Sequence, residues 1–366
     1  MKNCKLDFQG DYAVLGQYIQ VRKIHHLLWV HGKSAVKTQI GQYLYKLSER
    51  LHIEVESFTE FAPNPEYESI VAGVELFKGM HGDGIIATGG GSAIDVAKCI
   101  KLFSVLDSSK NYLQQDLRPV DTPLIAIPTT AGTGSEVTHF AVIYYHGKKC
   151  SVTSQDILPD AYLLDSSALA FLPEYQRKVT MLDAFCHAVE AYWSIKATVD
   201  SRKLSLQAVE SLLRYAPLYL RNNMDGNEAM LRVANLAGKI IDITQTTAGH
   251  AMSYALTKSY GIAHGHAAAL CTAVLWQQLE QKGVLTDKLN ELSGLVASYM
   301  GVACAEGFKK FVDVLHLPRF QGSEADIPLL ASSVNPVRLQ NHPIRITYEE
   351  FCQLYREIIG RNKDEG

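Results

Sequence analysis

No uninterrupted apolar run in this chain approaches the roughly 20 residues that a membrane-spanning helix requires. The opening stretch, Met1-Lys-Asn-Cys-Lys-Leu-Asp-Phe-Gln9, lacks the apolar centre of a signal peptide. Both absences lead to the expectation of a cytoplasmic protein with no membrane partner. Positive charge is not in excess either. The formal net charge is −3, which offers no electrostatic reason to expect a nucleic-acid partner. The seven cysteines are odd in number and scattered, with no Cys-x-x-Cys, and several lie inside apolar patterns where a thiol behaves as a small hydrophobe. Reduced thiols fit the same compartment. Repeats, low-complexity segments and long linkers are also lacking. What is there, 47% hydrophobic and 20% charged residues over 366 positions, describes a soluble globular protein long enough for two domains.

The first half alternates between strand and helix patterns. Ile24-His-His-Leu-Leu-Trp-Val-His31 reads as a buried strand, followed by Gly32-Lys33-Ser34 and a helix running to Leu51. Residues 53–58 form a second strand leading into Phe61-Ala-Pro-Asn64-Pro65 and a helix over 66–79. Gly84-Ile-Ile-Ala-Thr88 is a third, running straight into Gly89-Gly90-Gly91-Ser92 and a helix over 92–103. Leu124-Ile-Ala-Ile127 is a fourth, running into Pro128-Thr129-Thr130-Ala-Gly132-Thr133-Gly134-Ser135-Glu136. This alternation implies a parallel sheet with right-handed crossovers. Residues 141–145 and 149–153 suggest a hairpin. Near Leu172-Pro173 the pattern changes, and periods near 3.6 dominate from there on. The expectation is an α/β domain over 1–172, with a Rossmann-like parallel sheet, and an all-α helical domain over 173–366.

Two glycine-bearing turns follow neighbouring strands. Glycines between a strand and a helix let backbone N–H groups approach a pyrophosphate, whose charge the helix N-terminus favours. Either turn alone is as readily a plain tight turn. Two of them at the same edge of a parallel sheet favour a nucleotide. The usual Gly-x-Gly-x-x-Gly fingerprint is missing, so an ordinary Rossmann domain is not expected.

In the second half, Asp183 and His187 are four residues apart in an apolar helical run, and so share one face. His250 sits in another such run, which Gly261 ends before His264 and His266. Three histidines and an aspartate would complete a site of nitrogen and oxygen donors suited to Fe(II) or Zn(II). A single histidine on an apolar helix is more often a satisfied core residue. Spacing alone leaves a metal and core packing equally open.

Four ordered motifs carry a resemblance. They are Gly89-Gly-Gly-Ser-Ala-Ile-Asp-Val-Ala-Lys98, Pro128-Thr-Thr-Ala-Gly-Thr-Gly-Ser-Glu136, Asp183-x-x-x-His187-Ala-x-Glu190 and His264-Gly265. In content and order they resemble the iron-containing (group III) alcohol dehydrogenases, over nearly the whole chain. The resemblance implies a dinucleotide-binding domain of dehydroquinate-synthase-like type, a helical metal-binding domain, and an active site in the cleft between. It implies Asp183, His187, His250 and His264 as ligands of Fe(II) or Zn(II). It places Gly90, Gly91, Ser92, Asp95 and Asn64 at the nicotinamide cofactor, together with Thr129, Thr130, Thr138 and Lys149. The implied reaction is hydride transfer between NAD(P)H and a small aldehyde, in a homodimer or larger homo-oligomer.

The chain also departs from the family pattern. NAD-preferring members often carry an aspartate after the first strand, where this chain has Gly32. Nothing there repels a 2′-phosphate, and Lys33, Ser34 or Lys37 can bind one, so NADP(H) is favoured over NAD(H). Many members place a second histidine four residues after His250; here it is Tyr254. Tyrosine can bond a substrate oxygen but carries protons poorly near neutral pH, which leaves proton exchange to water or to His266, the other catalytic candidate. The stretches around Ser194, Lys239, Thr246 and Arg338, with Tyr260-Gly-Ile-Ala-His264, are similar to the phosphonoacetaldehyde reductase branch (hydroxyethylphosphonate dehydrogenases). Those four residues are then the expected substrate contacts for a phosphonate. The alternatives are a general short-chain aldehyde or lactaldehyde reductase, a dehydroquinate-synthase-like cyclase, and a non-catalytic nucleotide-binding protein. The cyclases usually use a glutamate and two histidines at the metal, which argues against them here.

Overall fold

The computed structural model describes residues 3–361, the side chains of Val337 and Arg338 apart. The chain divides at Leu172–Pro173 into two units. The first holds β1 (Cys4–Lys5), β2 (His26–His31), β3 (Glu54–Phe58), β4 (Gly84–Gly89), β5 (Leu124–Pro128), β6 (Phe140–Tyr145), β7 (Lys148–Thr153) and β8 (Ala161–Tyr162). Six of these form one parallel sheet in the order β1-β8-β5-β4-β2-β3, while β6 and β7 pair as an antiparallel hairpin. The central strands are apolar without alternation because both faces are covered. On one face Leu28, Val30, Ile85, Ala87 and Ala126 pack with Ile70, Val74 and Ile100 of the helices Tyr67–Gly79 and Gly91–Phe103. On the other, Leu27, Trp29, Ile86 and Ile125 pack with Leu15, Ile19, Ile40 and Leu44.

One helix expected from the sequence is broken. In place of a single helix to Leu51 there are a short 3-10 turn, Ala35–Lys37, and the helices Gln39–Tyr45 and Leu47–Leu51. Thr38 is the cause. Its backbone is extended, and its hydroxyl accepts from Gly41 N–H as a cap, starting a new helix where periodicity suggested continuation.

The second unit is helical, with no strand among its described residues. Its long helices include Glu174–Trp193, Val199–Leu220, Met224–Thr244, Ala248–Tyr260 and His264–Gln281. The first of these is buried all round from Met181 to Trp193, and His264–Gln281 is buried at most positions from Gly265 to Trp276. Among the described residues no helix is long and apolar enough to cross a membrane.

Candidate metal centre and cofactor turns

In the buried half of the helix Glu174–Trp193, Asp183, His187 and Glu190 stand at i, i+4 and i+7 and share one face. Buried groups of this kind must be compensated by partners. Helix Ala248–Tyr260 supplies His250 from its first turn, and Gly261, at φ +68°, ends that helix in the left-handed conformation. The chain then re-enters helix His264–Gln281 with His264 as its first residue. Close approach to the buried helix requires Gly265, where an added Cβ would lie 1.9 Å from the carbonyl oxygen of Val179.

The three imidazoles converge. Nε2 of His250, His264 and His187 lie 3.5, 3.8 and 3.9 Å from Asp183 Oδ1. The His187 and His250 rings stack at 4.5 Å between centroids. With metal–donor bonds of about 2.0–2.2 Å, tetrahedral donors sit about 3.4 Å apart; Asp183, His187 and His250 offer donor atoms all within 4.8 Å of one another, and His264 Nε2 stands 3.8 Å from Asp183 Oδ1. Asp183 Oδ1 and His250 Nε2 are buried without a hydrogen-bond partner, an expensive arrangement unless an ion is shared between them.

Two of the imidazoles are held in the tautomer a metal needs. Glu190 is fully buried and accepts from Thr247 N–H, Thr247 Oγ1–H (2.7 Å), His250 N–H (3.0 Å) and His250 Nδ1–H (2.6 Å). The proton on His250 therefore sits on Nδ1, leaving the Nε2 lone pair for a ligand. Ser253 Oγ–H donates to the His250 carbonyl (2.9 Å), so it accepts from His264 Nδ1 (3.3 Å), and His264 likewise presents an unprotonated Nε2. Burial would push Glu190 up, but the charge and hydrogen bonds of His250, with Thr247, bring it down to about 2. Burial would likewise raise Asp183, yet His187, His250 and His264 together hold it well below the usual carboxylate range. Burial pulls His250 down, and Glu190 with Asp183 override it and raise His250 to about 9. The field here favours a positive charge, whether proton or cation.

The other candidates in this unit are placed differently. The Tyr254 ring lies parallel to His264, 5.0 Å between centroids, and is half-buried. His266 is buried, with Nδ1 3.4 Å from Tyr175 Oη, and burial lowers it to about 4. Ser194 is buried; its hydroxyl donates to the Thr244 carbonyl and accepts from Lys196 N–H. Thr246 is half-buried, and Lys239 is exposed on helix Met224–Thr244. Arg338 lies in the turn Pro336–Asn341, with its side chain outside the described residues.

In the first unit, β4 and β5 end in register, Gly89 opposite Pro128, so their loops start side by side. Gly90 caps helix Gly91–Phe103. A Cβ on Gly90 would meet Thr130 Cγ2 at 3.2 Å, and one on Gly91 would meet Thr133 Cγ2 at 2.8 Å. The two turns therefore touch, and glycine keeps the helix N-terminus open to an anion. Asn64, exposed at φ +59°, donates its N–H to Ser92 Oγ at 3.4 Å. Thr129 and Thr130 are half-buried on the second turn, and Gly32 and Ser34 follow β2, the strand beside β4. Asp95 engages protein with both oxygens, accepting from Ser135 Oγ–H (2.6 Å) and Val142 N–H (2.9 Å). Lys149, on β7, acts electrostatically on Asp95, and Thr138 is buried.

Known proteins share this arrangement of sequence. A family model described as iron-containing alcohol dehydrogenase matches residues 8–166, and one described as the C-terminal part of the Fe-containing alcohol dehydrogenase family matches 178–358. The chain belongs to the iron-containing alcohol dehydrogenase family. It is 30% identical over 314 residues to long-chain-alcohol dehydrogenase 1 of Geobacillus thermodenitrificans, covering 81% of this chain and 78% of that protein. It is 28% identical over 322 residues to phosphonoacetaldehyde reductase of Streptomyces viridochromogenes, covering 79% and 80%. The crystal structure of an iron-containing alcohol dehydrogenase from Thermotoga maritima superimposes with a TM-score of 0.86 at 28% identity, covering 98% of each chain. As in that family, a parallel α/β unit precedes a helical one.

Several residues of this dehydrogenase's site escaped the sequence reading. Glu190 was quoted in a motif without a role, although its i+7 spacing from Asp183 is the available signal. Tyr175 and Thr247 reach the site by tertiary packing alone and carry no local signature. Asn341, which ends the stretch around Arg338, was given no role; its carbonyl accepts from Ile195 N–H and its amide donates to Gln245 Oε1. Beside it, His342 is buried with neither ring nitrogen bonded. Burial, with Lys282, lowers it to about 4 against the opposing pull of Glu190. This makes a pH prediction. A base depressed in the folded state contributes full stability above the unfolded value of about 6.5 and loses it as pH falls towards 4. Between pH 7 and 5 the loss is expected to be about 2 kcal/mol. Urea midpoints of wild type and His342→Leu should therefore approach or cross on acidification, and parallel curves would contradict this.

Proposed function

We propose that this dehydrogenase interconverts a small aldehyde and its alcohol by hydride transfer with NAD(P)H. In this reading Asp183, His187, His250 and His264 hold one divalent ion, Fe(II) by family and Zn(II) as the competing metal, and residues 1–172 hold the cofactor. The observation that carries it is the convergence of three Nε2 atoms on Asp183 Oδ1 within 3.9 Å. When bound, the ion supplies Lewis-acid polarisation of the substrate oxygen and the nicotinamide supplies the hydride.

The chain's own residues orient and bind. Glu190 keeps the Nδ1 proton on His250, Ser253 keeps it on His264, and so both imidazoles stay neutral at the donor atom. His264 is the ligand side chain most open to solvent, 31% exposed against 7% or less for the other three, so a substrate oxygen approaches beside it. Tyr254, parallel to that ring, is assigned a hydrogen bond to this oxygen. His266 is buried against Tyr175 and is assigned to holding the turn that presents His264; Tyr175 Oη also accepts from Ala263 N–H at 3.1 Å. Gly90, Gly91 and Ser92 present helix N–H groups to the pyrophosphate. Gly32 admits a 2′-phosphate, which supports NADP(H) ahead of NAD(H).

The deciding experiment is NADPH oxidation by Fe(II)- or Zn(II)-loaded protein with phosphonoacetaldehyde, propionaldehyde and lactaldehyde side by side, repeated with NADH. A kcat/KM for the phosphonate about a hundredfold higher, roughly 2.7 kcal/mol of discrimination, is expected if an anion pocket exists. The second reading, a general short-chain or lactaldehyde reductase, is favoured by the exposure of Lys239 and by the engagement of the Ser194 hydroxyl with backbone. Similar rates on all three substrates would select it. No oxidation with any aldehyde by loaded protein would sink both.

A further inference from the structure

Helix Gly91–Phe103 carries a lysine where an amphipathic helix should carry an apolar residue. Lys98 is fully buried, and its Nζ donates to Ser135 Oγ (3.1 Å), Thr138 Oγ1 (3.0 Å) and the Phe140 carbonyl (2.9 Å). An ammonium has three protons, and three protein acceptors stand within hydrogen-bond distance of it. Lys98 thus faces protein acceptors, and burying its charge is costly unless it is paired. Asp95, one turn earlier on the same helix, supplies the opposite charge, and its bond from Ser135 Oγ–H (2.6 Å) closes the network.

The direction of these bonds has a chemical result. Ser135 accepts from Lys98 and spends its own proton on Asp95. Thr138 also accepts from Lys98, which occupies one of its two lone pairs and leaves its own proton to be directed elsewhere. Within the unit that proton has the Ser135 carbonyl at 3.4 Å, at the long limit of a hydrogen bond. A hydroxyl that already accepts from an ammonium is a stronger donor than a free one. We propose that Lys98 is a positioning residue that sets Thr138 as a hydrogen-bond donor to the bound nicotinamide cofactor and anchors the second turn through Ser135. This rests on the reading of these turns as the cofactor site.

The test is the affinity of full-length, iron-loaded protein for NADPH and NADH, read from the fluorescence of the reduced nicotinamide, beside iron content. Lys98→Met is expected to weaken binding about tenfold or more, the worth of one or two charge-assisted hydrogen bonds, while iron per chain is unchanged. Thr138→Val should weaken binding similarly and Thr138→Ser should restore it. The double variant Lys98→Met with Thr138→Val should lose no more than the worse single one, because both act through one hydroxyl. Wild-type affinity in Lys98→Met, or additive losses in the double variant, would overturn the proposal. If Lys98→Met does not fold, the Thr138 pair decides, since wild-type affinity in Thr138→Val leaves Lys98 no donor to set. Failure of the wild type itself to bind either cofactor would overturn the cofactor reading instead.

Discussion

Replacing Glu190 by glutamine should strip the metal from this enzyme while leaving all four proposed ligands in the sequence. The carboxylate accepts from five donors: two on Thr247 at one oxygen, and two on His250 with the Thr272 hydroxyl (3.4 Å) at the other. An amide of the same shape carries donors in place of one oxygen, so its –NH2 must face either both Thr247 donors or both His250 donors. If it faces His250, the imidazole loses the partner that holds its proton on Nδ1, and the tautomer with Nε2 protonated competes with the metal. If it faces Thr247, the loop that starts helix Ala248–Tyr260 is repelled and His250 moves with it. Loss of such an outer partner typically lowers metal affinity about 10–100-fold. Competition with a chelator of known affinity, followed by metal analysis of the desalted protein, measures this directly. Glu190→Gln holding iron as tightly as wild type would show that His250 does not depend on this carboxylate.

Gly265→Ala is the second large effect, and it comes from volume. The new methyl would sit 1.9 Å from the Val179 carbonyl oxygen and 2.9 Å from Asp183 Cβ. The first contact is with backbone of a buried helix, which cannot swing aside as a side-chain tip can. Helix His264–Gln281 must therefore back away, taking His264 from its place 3.8 Å from Asp183 Oδ1. Overpacking of this kind costs about 1–3 kcal/mol in stability, and a ligand set opened by the same step should no longer close on an ion. A lowered thermal midpoint together with lost iron is expected. A drop in midpoint with full iron content would mean that the helix end repacks without moving His264.

The architecture was legible because its strands are long and unbroken. Ile85, Ile86 and Ala87 have no polar alternation, and Gly89-Gly90 marks the strand-to-helix turn directly, so an α/β sheet followed by helices could be read from the chain. The short strands β1 and β8 could not, since two residues each leave no period to detect. Thr38 breaks a helix through a side-chain cap, which apolar spacing does not register. At the proposed metal centre, donor type and apolar surroundings singled out Asp183, His187, His250 and His264 as candidates, but spacing left a metal and core packing equally open and the motif resemblance made the choice. What supports them was hidden. Ser253 acts through a hydroxyl whose single proton is already spent on a carbonyl, a constraint that exists only once the chain has folded. Asn341 and His342 reach the neighbourhood of Glu190 from a segment that no local pattern connects to it.

All four proposed ligands come from the second unit, and from three separate helices of it. An ion that bridges them is therefore also a clamp on the fold, joining the chain between Asp183 and His264 in the folded state alone. Ligand binding that favours only the native form raises stability by RT ln(1 + [L]/Kd). Iron supply would then act as a quality check on newly made protein: chains that meet the metal hold their helices shut, and chains that do not open there first. In hydrogen exchange, chelation should release amides of Glu174–Trp193, Ala248–Tyr260 and His264–Gln281 before those of the parallel sheet.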